Sequence, residues 1–398
     1  MVYRPIYVEA IKPFMDTHLV KILSGVRRSG KSTILKMVRN LLVERSIDND
    51  RIIPRNYASS KYDGLTAEAM YKDLNSSIAS GLRSYLLLDE VQEVDGWERV
   101  VNSLQEERDV DIYVTGSNSR LMASEISTYL SGRYVSIPVF TLSLKEYIAF
   151  RGLDEKSGRK AFDQYLHLGG FPIVAVSGLD SRSAYQVVDG IYSSVVTRDI
   201  SMRHKIQNSE LFDRVVRYIV ENVGKNFSAN NIVNTLKAEK RPLTVESIYN
   251  YLKWLQEAFI IYSCPRFDIQ GREVLKTQEK YYLADISLKY CQMGFSPNMV
   301  AALLENIVFL EMKRRGYDVY VGKLGTREID FIATLRDERI YVQVCRNLPE
   351  NSERETENLM EIKDHYHKYV VCYDDLAEGN DNGIQIVHIA DFLLMEKW

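Results

Sequence analysis

Residues 19–33 read Leu19-Val20-Lys21-Ile22-Leu23-Ser24-Gly25-Val26-Arg27-Arg28-Ser29-Gly30-Lys31-Ser32-Thr33. A short apolar run, 19–24, has the character of a buried strand and breaks into a glycine-containing turn. From residue 31 to 46, Ile34, Leu35, Val38, Leu41 and Leu42 recur at helical spacing. Strand, loop and helix in that order give Gly25–Ser32 the G-x-x-x-x-G-K-[ST] pattern in the context it requires. Gly25 and Gly30 let the backbone turn tightly. The amides from Arg27, Arg28 and Ser29 through Thr33 then face an anion at a helix N-terminus, where partial positive charge collects. Lys31 offers a point charge to β/γ-phosphates, and Ser32 a hydroxyl to Mg²⁺. The pattern therefore predicts a site for a nucleoside triphosphate with Mg²⁺.

Outward from this loop, further apolar runs lie at 52–57, 85–91, 111–117 and 134–139, with helical segments between them. That alternation predicts an α/β fold, a parallel P-loop NTPase sheet with helices on both faces. The third run, Leu86-Leu87-Leu88, ends in Asp89-Glu90. Asp89 suits an Mg²⁺ held through water. Glu90 suits polarisation of the attacking water. Val114-Thr115-Gly116-Ser117-Asn118 closes the next strand, and either Asn118 or Ser117 could read the γ-phosphate; the segment is also ordinary turn chemistry. Arg133 is a candidate transition-state arginine, in cis or from a neighbouring subunit, against a bland alternative as a surface arginine. A trans role would require a homo-oligomer.

At 398 residues the chain is long enough for two to four domains. No apolar run approaches about 18 residues, so no transmembrane helix and no membrane partner are expected. The N-terminus lacks a signal-peptide core. Cys264, Cys291, Cys345 and Cys372 are far apart and show no CxxC spacing, which argues against disulfides or zinc and for a cytoplasmic location. The net charge of −3 gives no bulk support for nucleic-acid binding. His365 and His367 are two apart and would point to different helix faces, which makes a metal site there improbable.

The run SGVRRSGKST, then YLLLDEVQ with Trp97, then VTGSNSRLM, LSGRY and FTLSLKEY, resembles one AAA+-related family of bacterial and archaeal ATPases. LHLGGFP, SSVVTRDI, TVESIYNYLKWL and KYYLADISL follow the family's order, so the resemblance covers nearly the whole chain. The pattern turns helical after about residue 155, and three helical segments from 209 to 261 followed by two strand-like runs around Asp268–Arg272 read as a winged helix-turn-helix with its hairpin wing. With the resemblance, this gives an AAA+-like ATPase domain over 1–155, a helical lid or linker over 156–204, a winged helix-turn-helix over 205–295 and a restriction-endonuclease-like domain over 296–398. The resemblance also implies nucleotide roles for Lys31, Ser32, Asp89, Glu90 and Asn118.

The last domain departs from the layout of such nucleases. Glu305 and Asp330 stand at helix and hairpin positions, but Gln343 and Cys345 occupy the places of a strand Glu and Lys. Gln is a weaker Mg²⁺ ligand, and Cys cannot replace an ammonium, so a fold without cleavage is expected. In the winged-helix region Arg214, Arg217, Lys225, Lys237, Lys240 and Arg241 give local positive charge. A recognition helix near Thr244 would present Glu246, Ser247, Tyr249 and Asn250. That surface could serve DNA or a protein partner. The function expected is an ATP-driven switch acting with DNA through the C-terminal half; the alternative is a slow nucleotide-controlled regulator that binds a protein partner.

Overall fold

The computed structural model describes residues 2–118, 130, 132–204, 206, 208–238, 243–347, 353–374 and 378–398. The chain divides into two compact units, Met1–Phe140 with Glu257–Phe259, and Thr141–Gln256 with Ile260–Trp398.

In the first unit, helices α1 (Pro5–Ile11), α2 (Lys31–Glu44), α3 (Ala67–Ser77) and α4 (Trp97–Glu107) flank a five-stranded sheet. Its strands are β1 (Val20–Ser24), β2 (Ile52–Asn56), β3 (Ser84–Asp89), β4 (Val110–Gly116) and β5 (Tyr134–Pro138), all parallel, in the order β2-β3-β4-β1-β5. Every residue of β1 and β4 is buried, as strands covered on both faces require. Alternate side chains go to opposite faces. Ile22, Leu86, Leu88 and Val114 pack with Met70 and Leu74 of α3 and with Trp97 and Leu104 of α4. Leu23, Leu87 and Tyr113 pack with Ile34, Val38 and Leu42 of α2 and with Tyr7 and Ile11 of α1. The sheet with helices on both faces is thus the architecture the alternating pattern predicts.

One buried polar pair interrupts this core. Lys21 of β1 and Asp111 of β4 have fully buried side chains and form an ion pair. Tyr113 OH donates to Asp111 Oδ2 at 2.8 Å, and the Asp16 amide to the same oxygen at 2.9 Å. Lys21 Nζ also donates to the Leu19 carbonyl at 2.8 Å. Both charges are therefore satisfied, which is the condition for tolerating them inside.

The strand read at 85–91 ends at Asp89, because Glu90 takes a left-handed φ of 54° and Val91 opens a 3₁₀ turn. That kink places the two acids in different surroundings.

The second unit begins with helices between Leu144 and His204, the first capped by a Ser143–Glu146 capping box. Val195–Ser201 is π-helical. Helices Ser209–Glu221, Ala229–Ala238 and Val245–Glu257 follow, and then the hairpin β6 (Ile261–Asp268) and β7 (Glu273–Leu283). After helix Val300–Arg314 come β8 (Asp318–Leu324), β9 (Arg327–Leu335), β10 (Glu338–Cys345), β11 (His367–Cys372), β12 (Gly379–Asp381) and β13 (Ile384–His388). These eight strands form one mixed sheet in the order β12-β13-β11-β10-β9-β8-β6-β7. β6 pairs in parallel with β8, so the β6–β7 hairpin shares a sheet with the C-terminal strands, across the boundary expected at 295/296.

Two of the family-like motifs meet inside this unit. The Gly170 amide donates to Asp285 Oδ2 at 2.8 Å, and a Cβ on Gly169 would lie 2.2 Å from Asp285 Oδ1. LHLGGFP and YYLADISL are therefore joined by packing, with glycine needed for the close approach.

Candidate functional site

Open α/β sheets present ligands at the carboxyl ends of their strands. Here the β1 and β4 ends lie level, since Ser24 pairs with Gly116, and Asn56 pairs with Asp89 on β2 and β3. The Ser24 carbonyl accepts the Val139 amide at 2.7 Å. This draws the segment after β5 across Gly25, where an added Cβ would lie 2.1 Å from the Val139 carbonyl oxygen. Only glycine fits. Further along, Gly30 caps α2 in a left-handed conformation, φ 103°, which glycine adopts without a Cβ penalty. The loop therefore wraps back onto the N-terminus of α2.

Lys31 is 3% exposed, and its Nζ donates to the carbonyls of Gly25 at 2.9 Å and Val26 at 3.1 Å. The ammonium is already folded over the loop. Ser29 is fully buried, and its Oγ has no hydrogen-bond partner among the described residues. Arg27 is half-buried, Arg28 is exposed with φ 67°, and Thr33 is half-buried in the first turn of α2.

A support absent from the sequence reading comes from the N-terminal segment. Arg4 is 1% exposed and donates through Nη1 to the Ser29 carbonyl at 2.7 Å. Its Nη2 donates to the Phe140 carbonyl at 3.1 Å and Tyr7 OH at 3.3 Å. A guanidinium with several donors in a fixed fork thus ties the loop to the strand end beside it. Nothing in the local sequence distinguishes this arginine from a surface one.

Ser32 Oγ donates to Asp89 Oδ1 at 3.0 Å. Thr115 Oγ1 donates to the same carboxylate oxygen at 2.5 Å and accepts the Glu90 amide at 3.0 Å. Burial raises the Asp89 carboxyl above its ordinary range, against the opposing hydrogen bonds from Thr115 and Ser32. Glu90 points to a different set of partners: Gln92 Nε2 donates to Glu90 Oε2 and reaches Ser117 Oγ at 3.5 Å. Asn118 and Ser117 are both buried. Beside the Ser32–Asp89 pair lies a hollow of about 250 Å³, lined by Lys36, Arg39, Arg55 and Asn56 among others.

Lys31, Ser32, Asp89 and Glu90 are therefore brought to one edge of the sheet, with Ser117 and Asn118 just beyond the end of β4. Arg133 is not brought there. It precedes β5, and its carbonyl accepts the Val20 amide at the start of β1, the opposite edge of the sheet from the loop. Its guanidinium donates to Asn102 Oδ1 at 2.9 Å and Glu106 Oε1 at 2.8 Å on α4. In cis it stands roughly a strand length, about 15 Å, from the phosphate loop.

In the second unit, Thr244 caps its helix by accepting the Ser247 amide at 3.1 Å. Glu246, Tyr249 and Asn250 are exposed and Ser247 half-buried. Lys240 and Arg241 lie outside the described residues. Arg214 and Arg217 line a groove of about 770 Å³ together with Asp189, Glu210, Asp213 and Glu221. Among the described residues no cluster of three or more His, Cys, Asp or Glu is disposed to hold a metal, and no helix is long and apolar enough to cross a membrane. Cys345 and Cys372, distant in sequence, pair in register on β10 and β11 with their Sγ atoms 3.0 Å apart.

A family model for an AAA domain matches residues 17–148, and one for a domain of unknown function (DUF8612) matches residues 159–299. An uncharacterized protein of Haemophilus influenzae is 37% identical over 398 residues, covering 99% of this chain and 99% of its own. Uncharacterized protein MJ1544 of Methanocaldococcus jannaschii is 27% identical, covering 95% of this chain and 88% of its own. Among solved structures, the Walker-type ATPase PABY2304 of Pyrococcus abyssi superposes with a TM-score of 0.48 at 16% identity, covering 72% of this chain and 94% of that one. DnaA of Aquifex aeolicus bound to AMPPCP superposes with a TM-score of 0.31 at 12% identity, covering 64% and 87%.

Proposed function

We propose, from the premise that this chain belongs to the AAA-domain family of P-loop ATPases, that it binds ATP with Mg²⁺ at Gly25–Thr33 and hydrolyses it to ADP and phosphate to drive a conformational change. The observation that carries this is the 3.0 Å contact between Ser32 Oγ and Asp89 Oδ1. It joins two hard oxygen donors at the mouth of a loop of main-chain amides, a donor set that fits Mg²⁺. When bound, the ion supplies neutralising charge to the β- and γ-phosphate oxygens.

The rest falls to the chain's own groups. Lys31 exchanges the Gly25 and Val26 carbonyls for phosphate oxygens, a short move for an ammonium already poised over the loop. Glu90 orients water for in-line attack on the γ-phosphorus and receives its proton as the bond to the β–γ bridging oxygen breaks. Gln92 holds the Glu90 carboxylate, and Thr115 holds its backbone. Asn118 or Ser117 faces the γ-phosphate from the end of β4. Steady-state phosphate release tests this. Lys31→Ala and Glu90→Gln should abolish it, and Glu90→Gln should retain nucleotide binding because the cradle stays intact. Normal turnover by Glu90→Gln would overturn the assignment.

Hydrolysis is coupled, in our reading, to the C-terminal half, where three helices and a hairpin would meet DNA. A second reading, a nucleotide-controlled regulator that binds a protein partner, draws support from one observation. Arg214 and Arg217 share their groove with four carboxylates, which repel a phosphate backbone. ATPase rates with and without single- and double-stranded DNA separate the two. Stimulation that falls steeply with salt supports DNA; an unchanged rate supports the regulator.

A further inference from the structure

We infer that Lys280 is a built-in cation, seated among the carboxylates of the second unit where a nuclease of restriction type would hold a divalent metal, so that this acid cluster is a metal-independent ion-pair core. Lys280 lies near the end of β7 and its side chain is 5% exposed. Its Nζ stands 2.9 Å from Glu328 Oε1 and 3.4 Å from Glu305 Oε2. The same Glu305 oxygen accepts Tyr282 OH at 3.1 Å. The second oxygen of Glu328 is taken by Arg266, whose guanidinium also donates to Asn226 Oδ1 at 2.6 Å.

The remaining positions of the expected metal set carry hydrogen bonds to the backbone or lie in apolar surroundings. Asp330 Oδ2 accepts the Val344 amide at 2.8 Å, and Gln343 Oε1 accepts the Asp330 amide at 3.3 Å. These two side chains clamp β9 to β10. Cys345, where an ammonium was expected, packs in an apolar cluster with Ile329, Tyr341 and Cys372. The cluster thus holds two cations, Lys280 and Arg266, against the carboxylates of Glu305, Glu328 and Asp330. A divalent ion entering it would meet an ammonium at contact distance from two of its three acids.

The protonation states of Lys280 and Glu328 agree with this arrangement, while burial raises the Glu305 carboxyl against the opposing pull of Lys280 and Tyr282. Burial lowers the Lys280 ammonium, but Glu305, Asp330 and Glu328 outweigh it and hold the group above its ordinary range. Burial likewise raises the Glu328 carboxyl, and Lys280 and Arg266 more than reverse it, keeping it ionised. Lys280 is therefore charged throughout the range in which a metal could compete.

The test is Mn²⁺ binding to nucleotide-free protein, followed by electron paramagnetic resonance, in wild type, Glu305→Gln and Lys280→Met. In wild type, bound Mn²⁺ should be unaffected by Glu305→Gln; ion held at Ser32 and Asp89 is recognised by that insensitivity. Lys280→Met should gain a site at least tenfold tighter than any in wild type. Its Tm should fall at pH 8 and recover with millimolar Mn²⁺. Should Lys280→Met fail to fold, Lys280→Met/Glu305→Gln, which removes one charge of each sign, should fold and bind no additional Mn²⁺. Supercoiled plasmid should stay intact with wild type and Mg²⁺ or Mn²⁺. A wild-type Mn²⁺ site lost in Glu305→Gln, or plasmid nicking lost in Asp330→Ala, would overturn the inference. So would a folded Lys280→Met that gains no metal.

Discussion

Thr115 Oγ1 lies 2.5 Å from Asp89 Oδ1 and accepts the amide of Glu90 at 3.0 Å, so one hydroxyl at the end of β4 holds both acids at the end of β3. A group that orients others in this way typically costs 10–100-fold in activity when removed. Thr115→Val keeps the shape and removes the hydroxyl. The expected outcome is a kcat lower by roughly 10–100-fold with a smaller change in nucleotide Kd, and recovery in Thr115→Ser. Equal loss in kcat and binding, unrescued by Ser, would mean the residue serves folding alone.

The Asp89 carboxyl carries a stability signature of its own. Burial raises it above the ordinary value of 3.8. Between 3.8 and the raised folded value the folded state binds more protons than the unfolded one, so this group's contribution to stability falls as pH rises through that window. Asp89→Asn deletes the charge. Its nucleotide-free Tm should exceed that of wild type at pH 7, and the gap should close as pH falls toward 3.8. The same variant should lose stabilisation by Mg-ATP. A lower Tm for Asp89→Asn at neutral pH would contradict the burial argument.

Lys21 and Asp111 are fully buried and paired. Lys21→Met leaves the Asp111 carboxylate uncompensated in the core, which should destabilise the first unit by about 3–5 kcal/mol. Lys21→Met/Asp111→Asn removes both charges and leaves an acceptor for Tyr113 OH and the Asp16 amide. Urea denaturation should show most of the loss restored in the double variant. Equal midpoints for single and double variants would show that the pair is not what holds this edge.

Arg133 is tied to Glu106 and Asn102, away from the phosphate loop. Arg133→Ala should leave the ATPase rate of the isolated monomer unchanged. A rate reduced only at concentrations where subunits associate would assign it to a neighbour's site. A loss in dilute monomer would place it in cis and contradict the fold.

The candidate nucleotide edge is legible in the sequence because its residues are local: Gly25 to Ser32 form one uninterrupted loop, and Asp89 ends an apolar strand. What escaped is non-local. Thr115 looks no more polar than Ser117 or Asn118, and only the register of Leu88 with Val114 puts it beside Asp89. Arg4 reaches Ser29 across 25 residues, with no motif to mark it. Nothing in the sequence marks Lys280, because the nuclease layout places its ammonium on β10, while the fold supplies one from β7. No spacing along the chain links Cys345 to Cys372; parallel pairing of β10 and β11 sets them side by side. Spacing along the chain identifies residues on one element; it is blind to those that meet through sheet order.

Calorimetric titration with a non-hydrolysable ATP analogue tests the nucleotide site most directly. Wild type should bind one equivalent in Mg²⁺ and lose affinity in EDTA, and Lys31→Ala should bind at least tenfold more weakly. Absence of binding to wild type, or binding indifferent to both EDTA and Lys31→Ala, would contradict the assignment of the Gly25–Thr33 loop.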